Sequence, residues 1–69
     1  MEWIAYIRQD APNTIRVWDL GYDKQRAFLK FDGTLEDAKR VLEAHGYRLL
    51  EDFAKRGMND DLDCEVEPA

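Results

Sequence analysis

One stretch of the sequence sets the architecture, and it reads Thr34-Leu35-Glu36-Asp37-Ala38-Lys39-Arg40-Val41-Leu42-Glu43-Ala44-His45-Gly46. The Thr34 hydroxyl can cap the first free amides of a helix, Asp37 stands where a capping-box partner reaches back, and Gly46 suits the left-handed residue that ends a helix. Apolar positions recur at three-and-four spacing through Leu35, Ala38, Val41, Leu42 and His45. The stretch therefore predicts an amphipathic helix that needs a sheet to pack on.

Three strands are expected before this helix. Residues 2–9, 14–20 and 24–31 are rich in aromatic and β-branched side chains, and the last strand begins at residue 24 or 25. Turn formers at 10–13 and 21–23 separate the strands, and Gly21 is able to take a positive φ there. Connections this short force antiparallel neighbours, so the predicted core order is β-β-β-α.

The segment after Gly46 allows two interpretations. Residues 47–52 suit a fourth strand, whereas residues 48–56 suit a second helix. A short strand followed by a helical turn is favoured, because no convincing cap precedes a new helix there. The predicted fold is α+β: a small antiparallel sheet of three strands, or four, with one main helix on one face. It forms a single domain over residues 1–57, followed by an acidic, flexible tail over residues 58–69.

Length and charge limit the classes of function. At 69 residues, with 45% apolar and 36% charged residues, the chain forms one small globular domain. A formal net charge of -5, with eleven of the fifteen acids in residues 32–69, argues against simple adhesion to nucleic acid or anionic lipid. The start of the chain lacks the basic residues of a secretory signal, and no run approaches the roughly 20 apolar residues of a membrane span. These features predict a cytoplasmic protein without a membrane partner.

Strand alternation separates two sets of side chains in the first three strands. The set expected to receive the helix is almost purely apolar and comprises Trp3, Ala5, Ile7, Ile15, Val17, Ala27, Leu29 and Phe31. The opposite set interleaves apolar groups with cations and comprises Ile4, Tyr6, Arg8, Arg16, Trp18, Leu20, Arg26, Phe28 and Lys30. With one helix on the sheet, the second set leaves large aromatic rings in solvent, which usually marks a contact surface.

Three occupants can cover this second face: the C-terminal segment through Leu49, Leu50 and Phe53, a second copy of the chain, or a different molecule. Contact with another protein is the leading hypothesis, with aromatic rings as anchors and cations as orienting charges. The predicted partner-binding residues are Tyr6, Arg8, Arg16, Trp18, Arg26, Phe28 and Lys30. A homodimer in which two sheets meet back to back is a further alternative.

The same face also suits nucleic acid, because bases stack on aromatic rings while Arg and Lys meet phosphates. The net acidity opposes this alternative, since a nucleic-acid reader usually carries a basic footprint. Nucleic-acid binding therefore ranks behind protein contact.

The acidic residues form a second candidate surface, which would act as a decoy for a basic partner and comprises Asp52, Asp60, Asp61, Asp63, Glu65 and Glu67. In size and charge the chain resembles small acidic inhibitors, including phage proteins directed against restriction or CRISPR machinery. The resemblance covers composition only and no motif. It implies an inhibitor or regulator of a nucleic-acid-binding complex, whereas the ordinary role of such charge is solvation.

Few residues of the chain have side chains suited to catalysis or to metal binding. His45 is expected to complete the last helical turn, and Cys64 to meet solvent in the tail. Residues 61–65 alternate oxygen ligands but lack the glycine and closing glutamate of a calcium loop. The sequence shows no phosphate loop and no Cys/His set at metal-binding spacing. We therefore predict no catalytic residues, no metal, no cofactor and no enzymatic activity.

Overall fold

The computed structural model describes residues 2–56 and 60–69. Its elements in chain order are β1 (Trp3–Ile7), β2 (Thr14–Asp19), β3 (Lys24–Lys30), α1 (Leu35–Ala44), β4 (Tyr47–Leu49), β5 (Ala54–Lys55) and β6 (Leu62–Pro68). The strands form one antiparallel sheet in the order β3-β2-β1-β6-β4, and β5 also pairs with β6. The α+β class and the antiparallel sheet are as predicted, but the sheet has six strands where three or four were expected.

The hairpin between β2 and β3 is held by the carboxylate of Asp19. Its Oδ1 accepts hydrogen bonds from the amides of Gly21, at 3.0 Å, and Tyr22, at 3.4 Å. Within this turn the positive φ belongs to Asp23, at 51°, and not to Gly21, which was able to take one. Aspartate tolerates the left-handed region better than most residues, so the turn closes without using the glycine's freedom.

Both predicted ends of α1 are confirmed. Thr34 Oγ1 accepts from the amide of Asp37 at 3.2 Å, as predicted. The Asp37 carboxylate reaches back to the amide of Asp32 at 2.9 Å and not to that of Thr34, which donates to Asp32 Oδ1 at 2.8 Å, so the bond expected of a capping box is replaced. At the other end Gly46 has φ +86°, and the ring Nδ1 of His45 lies 2.9 Å from the Val41 carbonyl oxygen. The capping residues therefore fix the helix between the two turns.

The core lies between α1 and one face of the sheet. Ala38, Val41 and Leu42 are the buried residues of the helix, whereas Leu35, in its first turn, is 46% exposed against the prediction. The sheet contributes its predicted apolar set, in which Ala5, Ile7, Ile15, Val17, Leu29 and Phe31 are buried and Trp3 and Ala27 are partly buried. Each fully buried large side chain stabilises the fold by about 1.5–3 kcal/mol.

The prediction of a loose acidic tail is wrong for residues 62–68. They form β6, which lies between β1 and β4 in the sheet and places Cys64 and Val66 in the core. The physical reason is an alternation of apolar and acidic residues, which buries one side of the strand and solvates the other. Residues 58 and 59 of the predicted tail lie outside the described residues. The predicted boundary at residue 57 therefore does not separate the domain from its C-terminal part.

The segment that follows α1 runs along the outer edge of β6. β4 confirms the short strand favoured at residue 47, and it pairs Leu49 with Val66. The expected helical turn is wrong, because the chain bends after β4 and returns to the same edge as β5, which pairs Ala54 with Asp63. Of the described residues, none forms a helix long and apolar enough to cross a membrane.

Candidate functional site

The face of the sheet that points away from α1 is built by alternate residues of β1, β2 and β3. The β1–β2 register places Ile4 opposite Trp18 and Tyr6 opposite Arg16, and the β2–β3 register places Arg16 opposite Phe28. Residues directly opposed in antiparallel strands share a face. Tyr6, Arg16, Trp18 and Phe28, four of the seven predicted partner-binding residues, thus lie together, and we call them the contact face.

An aromatic ring and a cation of the contact face are stacked. Phe28 is 48% exposed, while Tyr6 and Trp18 are partly buried between their neighbours. The Arg16 Cζ lies 4.9 Å from the centroid of the Phe28 ring, a cation–π contact. One guanidinium nitrogen of Arg16, Nη1, is covered and has no hydrogen-bond partner, and within the described residues Arg16 forms no ion pair. Its charge is therefore not neutralised there.

The C-terminal segment, the first of the three expected occupants, does not cover the contact face. Leu49 and Phe53 pack against the core on the helix side, and Leu50 is 49% exposed. The segment extends the sheet sideways because its backbone pairs with β6. The expectation of an internal cover by Leu49, Leu50 and Phe53 is wrong.

Arg26 is the predicted site residue that lies elsewhere. The register of β2 and β3 shifts beside Val17, so that Val17 pairs with Ala27 while Trp18 pairs with Gln25. The extra residue, Arg26, is a β-bulge, and a bulge re-aims its side chain. The placement of Arg26 on the face with Trp18 is therefore wrong.

The re-aimed guanidinium of Arg26 joins a cluster that sequence reasoning missed. Its Nε and Nη2 donate to Oδ2 of Asp19 at 3.2 and 3.0 Å, and its Cζ lies 5.5 Å from the Trp3 ring and 5.7 Å from the Tyr22 ring. Asp19 is only 1% exposed, so a paired cation is what allows this carboxylate to be buried. Trp3 also meets the Tyr47 ring, with centroids 6.0 Å apart. This cluster closes one end of the core.

The other two predicted cations flank the contact face. Arg8 follows β1, is exposed, and donates to Asp10 at 2.9 Å. Lys30, the last residue of β3, pairs with Thr14 in the ladder and is exposed. Both cations lie close to the contact face in the strand order, and neither stacks on its rings among the contacts of the described residues.

Next to the contact face runs a line of carboxylates. Asp63 lies opposite Tyr6, Glu65 opposite Ile4 and Glu67 opposite Arg48, so all three point away from α1. We call Asp63, Glu65 and Glu67 the acidic row. Glu67 forms an ion pair with Arg48, and Asp63 Oδ1 lies 3.3 Å from Arg56 Nε. Glu65 forms no ion pair within residues 2–56 and 60–69.

The remaining acids of the predicted decoy surface are spread around the end of the sheet. Asp52 is exposed in the bend after β4. Asp60 lies 3.4 Å from the Lys55 ammonium, and Asp61 accepts a hydrogen bond from the amide of Gln9 at 2.8 Å. Three of the six decoy residues thus form one line, and three do not.

Cys64 is fully buried, so the expectation that it meets solvent is wrong. Burial raises the pKa of its thiol to about 11, and Sγ donates to the Glu51 carbonyl oxygen at 3.0 Å. The amide of Glu65, and then the guanidinium of Arg56, hold the pKa of the Glu51 carboxyl below its usual range. A thiol held in the neutral form is a poor nucleophile. Cys64 and Glu51 act as structural links between β6 and the segment after β4.

A shallow depression of about 340 Å³ lies between α1 and the segment after β4. Its ionisable lining is Lys39, Glu43, Arg48, Glu51 and Asp52, where both signs of charge alternate and no hydroxyl, thiol or imidazole nucleophile is present. In the described part of the chain no group of three His, Cys, Asp or Glu side chains is placed to hold a metal ion.

Comparison of the chain with models of protein families, with curated proteins and with solved structures finds no match.

Proposed function

We propose that this chain is a non-enzymatic binding protein that acts through contact with protein, and that the contact face is where it binds. The observation that carries the proposal is the half-exposed Phe28 ring, stacked on Arg16 and neighboured by Trp18, on a sheet face that α1 does not cover. Aromatic and arginine side chains are enriched at protein interfaces, and Trp, Tyr and Arg are enriched among the few residues that carry most of the binding energy. A small domain gains nothing from leaving such a patch open to water.

The charge around the contact face favours a protein as the bound molecule. Arg16 and Lys30 lie on β2 and β3, while the acidic row lies on β6, on the other side of β1. A protein surface can present carboxylates to the first region and cations to the second. The proposed biological role, inhibition or regulation of the bound protein, is supported by the small size and the net charge of -5 alone.

Nucleic acid is a weaker alternative for the same face. A phosphate backbone laid along Arg16 would pass within two strands of Asp63, since neighbouring strands are about 4.8 Å apart. That separation, about 10 Å, exceeds the Debye length of about 8 Å at physiological ionic strength, so the carboxylate repels the phosphate mainly at low salt. The acidic row therefore counts against this alternative.

Affinity capture with three variants tests the proposal. The immobilised chain is compared with Phe28→Ala, with Arg16→Ala and with a control, Leu35→Ala, whose side chain is equally exposed but lies on α1. We expect the bound protein to be lost with the first two variants and retained with the control. Retention of every bound protein by Phe28→Ala and Arg16→Ala would contradict the proposal.

A second measurement separates protein from nucleic acid. Fluorescence anisotropy of labelled single-stranded DNA and RNA is recorded at low salt, where electrostatic binding is strongest. We expect no change on adding the chain. Saturable binding that weakens steeply with salt and is lost in Arg16→Glu would favour the nucleic-acid alternative instead.

A further inference from the structure

The face that points away from α1 has two halves, which carry opposite charge on either side of a central strand. β1 is the third of the five strands in the order β3-β2-β1-β6-β4. β2 and β3 bring Arg16 and Lys30, without an acid on this face in the paired register, whereas β6 brings the acidic row. A surface of this kind is complementary to itself after a half-turn about the middle strand.

We infer that the protein bound by the contact face is a second copy of this chain, related by a two-fold axis that runs along β1. This inference rests on the proposed function and names the partner of the same site. In a two-fold dimer, every contact from one copy to the other is matched by the reverse contact. The half-turn brings β2 of each copy over β6 of the other.

The cross-strand rows specify the contacts. One row runs Phe28, Arg16, Tyr6, Asp63, so Tyr6 meets Tyr6 of the second copy and Arg16 faces the acidic row through Asp63. The parallel row runs Trp18, Ile4, Glu65, so the Trp18 indole faces the carboxylate of Glu65 and its N–H can donate to it. Arg16, which forms no ion pair within the described residues of its own chain, gains an opposite charge directly across the interface.

Geometry and size agree with this arrangement. Two sheets that pack face to face keep their strands within about 30° of each other, as an axis along β1 requires. The Cα trace measures 27 × 26 × 19 Å, so its broad face is comparable to the roughly 800 Å² that each partner buries in a standard interface. A two-fold axis across the strands would instead stack Arg16 and Trp18 of β2 on the β2 of the other copy, with like charges together.

Sedimentation equilibrium of the full chain, up to the millimolar range, gives the first test. We expect twice the 8.1 kDa mass of the chain at high concentration. Arg16→Glu alone and Asp63→Arg alone should each weaken dimerisation by about tenfold or more, because each places like charges across the interface twice. Circular dichroism confirms that both variants remain folded, and Lys39→Glu, on α1, is the control that should dimerise like the wild type.

Mixing the two variants is the sharper test. In a mixed dimer, the carboxylate introduced at position 16 of one chain would meet the guanidinium introduced at position 63 of the other. The unchanged Arg16 and Asp63 would meet at the symmetry-related contact, so an equimolar mixture of Arg16→Glu and Asp63→Arg should dimerise again. A mixture that stays monomeric overturns the inference, as does a wild-type dimer that both charge reversals leave intact.

A monomeric wild-type chain also overturns the inference, and the capture experiment then tells the two claims apart. If the monomer binds another protein and loses it in Phe28→Ala, the inference fails while the proposed function stands. If the monomer binds no protein through Phe28, both fail.

Discussion

On the helix side of the sheet, Ala5, Ile15 and Val17 have lost all contact with solvent, whereas on the other side Phe28 keeps 48% of its surface exposed. Both sides are made by the same strands, and both carry aromatic residues. The residues that alternate with these aromatic rings differ. They are apolar on the helix side, whereas on the other side they include Arg16, Asp63 and Glu65. Aromatic content alone therefore does not distinguish a core from a contact surface, whereas interleaved charge does.

β6 contributes residues both to the core side and to the opposite side of the sheet. Cys64 and Val66 are in the core, and Asp63 and Glu65 face away from it. Removal of β6 should reduce the stability of the fold more than any other change, because it removes residues from both faces of the sheet and leaves β1 as an unpaired edge strand.

A chain ending at Arg56 tests this role of β6. We expect it to be unfolded, with far-ultraviolet circular dichroism of a random coil and no thermal transition. The full-length variant Glu65→Gln, which keeps the strand and removes one charge, should melt like the wild type. A cooperative melt of the truncated chain would show that residues 2–56 fold without β6.

Loss of the Asp19 carboxylate should give the next largest effect. Asp19→Ala leaves Arg26 and two turn amides without their partner and should lower the free energy of unfolding by about 3 kcal/mol. Asp19→Asn retains an oxygen for the amides of Gly21 and Tyr22 and should lose about half as much. Urea titration measures both.

The matched control for Asp19 is Asp10→Ala, because Asp10 also pairs with an arginine, Arg8, but both side chains are exposed. Surface ion pairs contribute less than about 1 kcal/mol. Equal losses in Asp19→Ala and Asp10→Ala would mean that burial of the Asp19–Arg26 pair is energetically unimportant.

Burial of Cys64 predicts a decline of stability at alkaline pH. In the unfolded chain the thiol ionises near its ordinary pKa of 9.0, and in the folded chain its pKa is about 11. Since the raised pKa means that the fold holds the proton, the stabilisation is complete below pH 9 and is lost as the pH rises through 11. The total loss is up to about 3 kcal/mol.

The comparison for Cys64 is the variant Cys64→Ala, which has no thiol to ionise. Urea titrations of both chains between about pH 8 and about pH 11.5 give the difference in unfolding free energy. We expect this difference to shrink as the pH rises. A constant difference across the whole range would contradict the predicted ionisation of the buried thiol.

Loss of the helix cap should give the smallest effect. Thr34→Ala removes the oxygen that accepts from the amide of Asp37 and should lower the free energy of unfolding by about 1 kcal/mol. Thr34→Ser retains that oxygen and should be almost neutral. A loss in the serine variant equal to that in the alanine variant would show that the threonine methyl, and not the cap, is what stabilises the helix.

Local signals allowed the first four elements and the core set to be predicted from the sequence. Turn formers, the cap at Thr34 and the period-two alternation of β1 to β3 act over a few residues, so short windows suffice to detect them. The contact face follows from the same alternation, except at Arg26. The sequence of residues 24–30 does not predict the bulge, because the segment contains neither glycine nor proline.

β6 was not predicted from the sequence, because its acidic residues were given more weight than its alternation of apolar and acidic side chains. The apolar positions Leu62, Cys64 and Val66 alternate with acids, which is a strand signal, but the density of carboxylates suggested a solvated tail. Its pairing with β1 joins residues far apart in the chain, for example Trp3 with Val66, and such a contact leaves no local trace. The partner-binding role and the decoy role remain predictions.

One matched pair of substitutions tests the central claim, that the sheet has a core side and a contact side. Phe31 is 8% exposed and packs in the core, while Phe28, three residues earlier, lies on the contact face. Urea unfolding is measured at low protein concentration, so that association does not contribute. We predict that Phe31→Ala lowers the free energy of unfolding by about 3 kcal/mol or more and Phe28→Ala by less than about 1 kcal/mol. Equal losses for the two variants would contradict the account.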